Sequence, residues 1–389
     1  MSLRVALVRM NYSPYGGAEL YLSRFARVLL QKGVEVHLFS RRWNGEEREG
    51  IHLHRVPALT YPRTLRILSF AAFSALALRR NAFDVVHSFE RTLRQDIYRA
   101  GDGCHREWLL RRARGAPSWD RVLTAIHPFH RSLLAVERAI FEGSGTRKVL
   151  TNSRRGKEEI LRHYRVPEGK VDVLYNGVDL ERFHPGNREG LGGPLRRELG
   201  IPAEAFLLLF VGSGFERKGL RYAIAALAEL KEKRVRPEPR LAVIGKGDSS
   251  PYQRLAADLG VSRQVLFLGP RRNLEAYYAA GDLFLLPTLY DPFSNACLEA
   301  MASGVPVVTS RSNGASELLE EGRGGEILED PLDVSSIASS IKNFFDLDRR
   351  REAGHEARRV ALEFSLADNV EKALGIYREL ATRQGRENT

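Results

Sequence analysis

At 389 residues the chain is longer than a single hydrophobic core usually allows, so two domains are expected. Hydrophobic residues form 43% and charged residues 28% of it, a balance that excludes a disordered or fibrous protein. The net charge of +12 is unevenly placed: residues 1–185 hold 32 Lys and Arg against 19 Asp and Glu, and residues 186–389 hold 28 against 29.

The basic first half favours phosphate-rich partners such as nucleic acid, an anionic membrane or an acidic glycolipid, although a basic surface also serves solubility alone. The longest apolar run, 67–78, is shorter than the about 20 residues that a membrane-spanning helix needs, and we interpret it as a core helix. An apolar strand and a Gly-rich turn stand where a signal peptide would be, which predicts a cytoplasmic protein. Cys104 and Cys297 are too few for a disulfide framework.

The first half alternates apolar strands with helices. Strands are predicted at 4–8, 34–40, 51–56, 84–88, 148–151 and 171–174, and helices at 18–31 and 65–78. The alternation is typical of a doubly wound parallel sheet.

A polar segment rich in Gly and Pro, 185–194, is the predicted linker. The alternation then restarts with strands at 206–211, 240–244, 265–267, 283–286 and 305–309, and helices at 219–233, 252–259, 274–280 and 294–303. The sequence therefore predicts an α/β protein of two Rossmann-like domains facing across a cleft, 1–185 and 186–365. A C-terminal helix, 366–389, is expected to pack back on the first domain.

Two turns between a strand and a helix are suited to phosphate, because a helix N-terminus presents free N–H groups. The first contains Gly16 and Gly17 but lacks the G-x-G-x-x-G spacing of dinucleotide-binding enzymes, and a tight turn needed only for packing explains it equally well. The second runs from Gly212 to the pair Arg217 and Lys218. Adjacent cations at a helix start oppose the helix dipole, which favours a bound diphosphate over a solvated helix end.

A third candidate segment holds two carboxylates separated by seven residues, Asp291 and Glu299. Asp291 is expected in a loop at the mouth of the cleft, where it accepts hydrogen bonds from sugar hydroxyls, and Glu299 further along a helix. That helix begins with Ser294, Asn295 and Ala296, whose N–H groups suit a phosphate. A capping acid followed by a surface acid is the alternative.

Taken together, these motifs resemble the retaining glycosyltransferases of the GT-B superfamily, family 4. The resemblance rests on Gly16-Gly17, residues 175–179, Arg217-Lys218-Gly219 and the D-x7-E segment, in this order along nearly the whole chain. Within the family, residues 16–19, 100–107, 137–142 and 211–219 are similar to lipopolysaccharide core glucosyltransferases that use an inner-core heptose acceptor.

The resemblance implies a role for each candidate residue. Arg217 and Lys218 would hold the donor diphosphate, Glu299 the ribose, and Asp102 would lie near the reacting sugar. Asp291 stands where the family usually has Glu, which leaves the sugar open. The remaining implied donor-binding residues are Gly16, Gly17, Gly212, Ser294, Asn295 and Ala296, and the implied acceptor-binding residues are Glu19, His105 and Arg106.

The resemblance further implies transfer of a hexose, glucose, from a donor such as UDP-glucose to a glycan or glycolipid of the lipopolysaccharide core or cell envelope. No metal or other cofactor is implied, since the Arg-Lys pair takes the place of Mg²⁺. The basic first domain would contact an anionic membrane peripherally. Alternatives are a nucleic-acid-binding or assembly protein, a family-4 transferase with another sugar and a lipid or small-molecule acceptor, and an epimerase or phosphorylase.

The histidines support no catalytic metal. His87 ends a predicted strand and is interpreted as a core histidine in preference to one lining the cleft. Two pairs, His52 with His54 and His127 with His130, are close enough in sequence to share a metal ion, but neither shows a third ligand.

Overall fold

The computed structural model describes residues 2–11, 17–43, 49–113, 126–202 and 204–387, with no account of the side chains of Glu321 and residues 383–387. The chain divides into two compact units. The first comprises residues 1–175 and 366–389, and the second comprises residues 176–365. The division therefore falls after Tyr175, whereas the sequence placed it after residue 185.

The first unit is built on a parallel sheet whose seven described strands have the order β3-β2-β1-β4-β5-β6-β7. The strands are β1 (Arg4–Val8), β2 (Glu35–Ser40), β3 (Ile51–Arg55), β4 (Val85–Ser88), β5 (Ile97–Arg99), β6 (Lys148–Thr151) and β7 (Val171–Val173). The strand order reverses between β1 and β4, which is where ligands of open α/β sheets bind, at the carboxyl ends of the strands.

Helices cover both faces of this sheet. They are α1 (Gly17–Gln31), α2 (Arg63–Arg79), α3 (His105–Ala113), α4 (Pro128–Glu142), α5 (Arg154–His163) and the C-terminal helix, here called α13 (Leu366–Glu387). Residues of α13 share a buried core with α1 and β1, including Val370, Leu374 and Tyr377. The chain thus returns to the first unit after completing the second.

The second unit repeats the plan with six described strands in the order β10-β9-β8-β11-β12-β13. These are β8 (Phe206–Val211), β9 (Pro239–Ile244), β10 (Val265–Gly269), β11 (Leu283–Leu286), β12 (Val307–Ser310) and β13 (Gly325–Leu328). Its helices are α6 (Gly193–Glu198), α7 (Leu220–Glu232), α8 (Ser250–Asp258), α9 (Leu274–Ala280), α10 (Asn295–Ala302), α11 (Val334–Asn343) and α12 (Leu347–Ala361). Central strands such as β8 are buried on both faces, as a parallel sheet requires.

The structure confirms the predicted fold class and corrects several details. The predicted linker is not extended, because Arg188–Gly192 and α6 form helical turns that pack against α9. Sequence reasoning missed β5 and β13, and also helices α3, α4 and α5. Short strands of three or four residues carry too little periodicity to stand out.

No helix in the described parts of the chain combines the length and apolar character needed to cross a membrane. The 67–78 run lies within α2, which buries Phe70, Ala71, Ser74 and Leu78. The same helix leaves Leu65, Phe73 and Leu76 exposed.

Candidate functional site

The second unit brings Arg217 and Lys218 to the point where its strand order reverses. They follow β8, and the loop after the neighbouring strand β11 is tied to them, since the carbonyl of Arg217 accepts hydrogen bonds from Leu289 N at 2.9 Å and Thr288 Oγ1 at 2.9 Å. The two cations therefore lie at the carboxyl edge of the sheet, the usual ligand edge of this architecture.

Gly219 makes this close approach possible. Its φ is +77°, and a Cβ at this position would lie 1.9 Å from the carbonyl oxygen of Pro287. No L side chain fits there, so the Arg-Lys-Gly sequence contributes a backbone geometry as well as two charges. Gly212, at the end of β8, lies beside the aliphatic chain of Lys218, which an added Cβ would approach to 3.3 Å.

Lys218 and Asp291 form a buried ion pair, with 7% and 5% of the two residues exposed. The Arg217 guanidinium lies 3.8 Å from the same carboxylate and donates to the carbonyl of Tyr290 at 2.6 Å. Burying a charge is costly unless it is paired, so each of these groups depends on the others. The sequence predicts that Asp291 accepts hydrogen bonds from sugar hydroxyls in an open loop; in the structure it is buried and paired with Lys218.

The backbone around Asp291 is fixed by the loop that follows β12. Asp291 N donates to the carbonyl of Ser312 at 3.0 Å, and Gly314 N donates to the carbonyl of Asp291 at 2.9 Å. Asn313, which is fully buried, accepts from Ser294 N at 3.1 Å. Sequence reasoning missed Asn313, because nothing in its local pattern distinguishes it from an ordinary turn residue.

The start of α10 carries the other predicted donor-binding residues. Ser294 precedes it with no side-chain cap, and Asn295 and Ala296 are its first two residues. Asn295 Oδ1 accepts from Asn176 Nδ2 at 2.6 Å, which connects the helix to the 175–179 segment. The start of α10 and the Arg217-Lys218 pair both belong to the second unit.

Glu299 lies one turn further along α10. It accepts a hydrogen bond from the hydroxyl of Tyr278 at 3.1 Å. Burial, with the neighbouring Glu299 carboxylate, raises the pKa of Tyr278 well above its usual range, so the phenol remains a donor. Glu299 is half-buried and keeps part of its surface open to solvent.

In the first unit, Asp102 is an exposed carboxylate held by two largely buried arginines. Arg9 Nη1 lies 3.4 Å and Arg91 Nη1 3.9 Å from Asp102 Oδ2, and 42% of the Asp102 side chain is exposed against 12% and 10% for the arginines. Arg9 also donates to the carbonyl of Phe89 at 2.6 Å. Arg9 and Phe89 directly follow β1 and β4, so this cluster also lies where the strand order reverses.

Glu137, buried in α4, fixes Arg91. Its carboxylate accepts from Arg91 Nη2, His105 N and Tyr164 Oη, each at 2.8 Å. Sequence reasoning included Glu137 only as part of a family motif and missed Arg9 and Arg91. For Arg9, the available sequence signal was its position directly after the buried strand β1, because an arginine there needs a buried partner or a bound ligand.

The predicted acceptor-binding residues surround this cluster in different ways. Glu19 Oε1 accepts from Arg9 at 3.3 Å. His105 Nε2 lies 3.0 Å from His130 Nδ1, and burial, with the charge of Arg91, lowers the pKa of His105 to about 3. Arg106 is exposed and borders a surface pocket of about 260 Å³.

Of the predicted Gly-Gly turn, Gly17 is the first residue of α1, and Gly16 lies outside the described residues. His87 is a buried core histidine, with Nδ1 2.6 Å from the hydroxyl of Tyr377. Cys104 and Cys297 are buried free thiols, one in each unit. Burial raises their pKa values to about 12 and about 11, so neither is a reactive thiolate.

Comparison with known proteins agrees with the fold. Residues 15–182 match the family described as Glycosyltransferase Family 4, and residues 194–360 match Glycosyl transferases group 1. The chain belongs to these glycosyltransferases and has the GT-B fold. This confirms the family that the sequence motifs indicated.

Among individual relatives, the chain is 27% identical to the lipopolysaccharide glucosyltransferase WaaG of Escherichia coli, over 96% of this chain and 98% of WaaG. The crystal structure of WaaG, a glycosyltransferase involved in lipopolysaccharide biosynthesis, matches with a TM-score of 0.84 over 96% of this chain and 99% of that chain. The D-inositol 3-phosphate glycosyltransferase of Corynebacterium kroppenstedtii is 27% identical, over 98% and 91%. Anabaena HepE, in complex with UDP-glucose, shares the fold at 18% identity and a TM-score of 0.77, over 97% and 100%.

Proposed function

We propose that this glycosyltransferase moves glucose from UDP-glucose to a lipopolysaccharide core or related cell-envelope glycan, with retention of anomeric configuration. The observation that carries the proposal is the cluster of Arg217, Lys218 and Asp291 where the second sheet reverses its strand order. The similarity to WaaG along almost the whole of both chains supports the choice of sugar and acceptor.

The donor diphosphate binds to Arg217 and Lys218. Arg supplies a planar fork and Lys a compact charge, and both can stabilise the negative charge that develops on the leaving diphosphate. In this role they replace a metal ion, so transfer proceeds without one. Before the donor binds, Asp291 supplies the negative charge that buried Lys218 needs, with the half-buried Arg217 guanidinium 3.8 Å away.

The rest of the nucleotide sugar is bound along α10. The N–H groups of Asn295 and Ala296 face a phosphate at the helix N-terminus, whereas the predicted Ser294 N–H is already bonded to Asn313. Glu299 accepts the ribose hydroxyls. Gly212 leaves room for the diphosphate next to Lys218. Asp291, released from Lys218 by the diphosphate, accepts hydrogen bonds from the sugar.

The first unit binds the acceptor. Arg9 and Arg91 hold the carboxylate of Asp102, which we assign to the reacting sugar. The acceptor glycan is contacted by Glu19, His105 and Arg106. The acceptor hydroxyl oxygen bonds to the anomeric carbon on the face from which the diphosphate departs, and its proton passes to an oxygen of that diphosphate. The protein therefore needs neither a nucleophile nor a base of its own. Catalysis is then mainly positional and electrostatic.

A peripheral membrane contact at the cytoplasmic face accompanies this function. Helix α2 exposes Leu65, Phe73 and Leu76, and Arg63 and Arg79 form its two ends. Apolar side chains next to arginines suit an anionic lipid surface.

The proposal is tested by thermal shift with UDP-glucose, UDP-galactose, ADP-glucose and GDP-mannose, with and without EDTA. UDP-glucose should raise the melting temperature most, and EDTA should not change the shift, because a ligand that binds the folded state stabilises it. Truncated lipopolysaccharide core should then trigger release of UDP, and inositol 3-phosphate should not. A salt-sensitive shift with random oligonucleotides and none with nucleotide sugars would instead favour a nucleic-acid-binding protein.

A further inference from the structure

A cluster of histidines and a carboxylate lies on β2 and β3, at the outer edge of the first sheet. The parallel register places His37 beside His52 and Phe39 beside His54. Because side chains alternate along a strand, Glu35, His37, His52 and His54 share one face of the sheet. Glu35 begins β2, so the cluster includes the amino end of that strand, whereas the donor and acceptor candidates follow the carboxyl ends.

His37 is the centre of this cluster. Its Nε2 lies 2.7 Å from Glu35 Oε1, and its Nδ1 lies 2.8 Å from His54 Nε2. The His37 and His52 rings stack with centroids 4.7 Å apart. One ligand atom each from Glu35, His37 and His52 lies within 4.8 Å of the other two. The neighbouring strand β2 therefore brings two possible ligands, Glu35 and His37, to His52, which the sequence pairs with His54.

We propose that Glu35, His37 and His52 bind a divalent transition-metal ion, Zn²⁺. Imidazole nitrogen and carboxylate oxygen are the ligands that zinc takes, with a fourth position left to water. A carboxylate oxygen 2.7 Å from a ring nitrogen requires a proton between them, and the metal takes the place of that proton. His54 then bonds the other ring nitrogen of His37 and orients the ligand, as outer partners of zinc-bound histidines do.

The geometry needs only a small adjustment. Zn–N distances of about 2.0 Å place neighbouring ligands of a tetrahedral site roughly 3.3 Å apart, less than the present spread. His52 is exposed on the edge strand and Glu35 is half-buried, so both side chains can move inward, while His37 is buried and stays in place.

Arg4 is the group that opposes metal binding. Its Nε donates to Glu35 Oε1 at 2.9 Å, and its Nη2 lies 3.5 Å from His37 Nε2. The guanidinium already supplies a positive charge beside both ligands, and its side chain is 39% exposed. Removing Arg4 should therefore strengthen zinc binding, a result that nonspecific binding to surface histidines does not predict.

The bound ion would join the edge strand β3 to β2. Because β3 is an edge strand among the described strands of the sheet, with β2 as its neighbour, this link stabilises an edge of the first unit. The three zinc ligands are different residues from those assigned to the donor and the acceptor. The expected effect of zinc is therefore on the stability of the first unit.

The full-length protein is titrated with Zn²⁺ by calorimetry, and with Co²⁺ by visible spectroscopy, which distinguishes a tetrahedral N/O site from the hydrated ion. We expect one ion per chain and a higher melting temperature with zinc, reversed by EDTA. His54→Ala should weaken binding about 10- to 100-fold, the usual effect of losing an outer partner, and His52→Ala should weaken it at least as much. Arg4→Gln should tighten it.

His355→Ala is the matched control, because His355 is an exposed histidine in the second unit, and it should bind zinc as the parent does. Circular dichroism without metal shows whether each variant is folded. Unchanged binding by His52→Ala, equal loss in His355→Ala, or a Co²⁺ spectrum of the hydrated ion would overturn the inference. None of these outcomes depends on nucleotide-sugar binding, so the glycosyltransferase proposal is tested separately.

Discussion

The ammonium of Lys218 and the carboxylate of Asp291 are almost completely removed from water, so neither charge is stable without the other. A single substitution at Lys218 or Asp291 is therefore expected to change the stability of the protein as well as donor binding. Replacing Lys218 alone removes the ammonium that pairs with the buried Asp291 carboxylate and leaves the Arg217 guanidinium 3.8 Å from it. The sequence does not reveal this coupling, because the two residues lie in separate motifs, 217–219 and 291–299.

We predict that Lys218→Met lowers the free energy of unfolding of the second unit by about 3–5 kcal/mol, the usual effect of breaking a buried pair. The double variant Lys218→Met/Asp291→Asn should regain most of that stability. Both should lose about 10²–10³-fold in turnover, because the diphosphate loses a cation. Scanning calorimetry and UDP release measure the two effects.

Lys233→Met is the control for these variants, since Lys233 is an exposed lysine just beyond the end of α7, paired with Glu229. It should leave both stability and turnover near those of the parent. A double variant that regains turnover along with stability would show that Lys218 has only a structural role.

Among the secondary-structure elements, the loop between β8 and α7 determines where the cations lie. Two of its glycines have nearly the same positive φ, +78° at Gly214 and +77° at Gly219. They differ in their surroundings: a Cβ at Gly214 meets nothing within 4 Å, whereas a Cβ at Gly219 collides with the carbonyl of Pro287. Substituting each glycine in turn therefore distinguishes the cost of backbone strain from the cost of a steric clash.

Gly214→Ala should destabilise the protein by about 1–2 kcal/mol, the strain of a left-handed conformation for an L residue. Gly219→Ala should cost more and should also reduce the thermal shift produced by UDP-glucose, because the turn must move away from β11. Thermal unfolding with and without the nucleotide sugar measures both. Equal losses in the two variants would show that contact with Pro287 does not position the cations.

The C-terminal helix α13 is the element that completes the first unit. Tyr21 of α1 donates to Asn369 Oδ1 at 2.5 Å, and Tyr377 is fully buried against His87. Residues far apart in sequence thus share one core, which links the stability of the first unit to the end of the chain.

At the scale of the whole molecule, the histidines with lowered pKa values are unevenly distributed between the two units. Four described histidines have lowered pKa values, with burial as the main cause: His54, His87, His105 and His130. All belong to the first unit. These side chains are kept neutral in the folded protein, although they would take up protons in the unfolded chain.

We therefore predict that acid weakens the first unit before the second. Because the folded pKa values lie below the unfolded value of about 6.5, this stability is present above pH 6.5 and is lost as pH falls below it. Amide hydrogen exchange at pH 7 and pH 5, corrected for the intrinsic rate, resolves the two units. Similar losses of protection in both would contradict the prediction.

Local patterns were enough to predict much of this protein. Continuous apolar runs at 206–211 and 283–286 gave the bounds of β8 and β11, because strands buried on both faces need no partner to be recognised. The motif containing Arg217, Lys218, Asp291 and Glu299 predicted the right family. Their roles toward the donor are still predictions.

The sequence by itself determined the fold class and the family, since both follow from periodicity and from short motifs whose spacing is set along the chain. Only the tertiary structure decided the partners: Lys218 with Asp291, Asp102 with Arg9 and Arg91, and His52 with His37 and Glu35. Each of these groups joins segments whose proximity depends on strand order and register. Pairing across a sheet is a property of the folded chain that no local pattern contains.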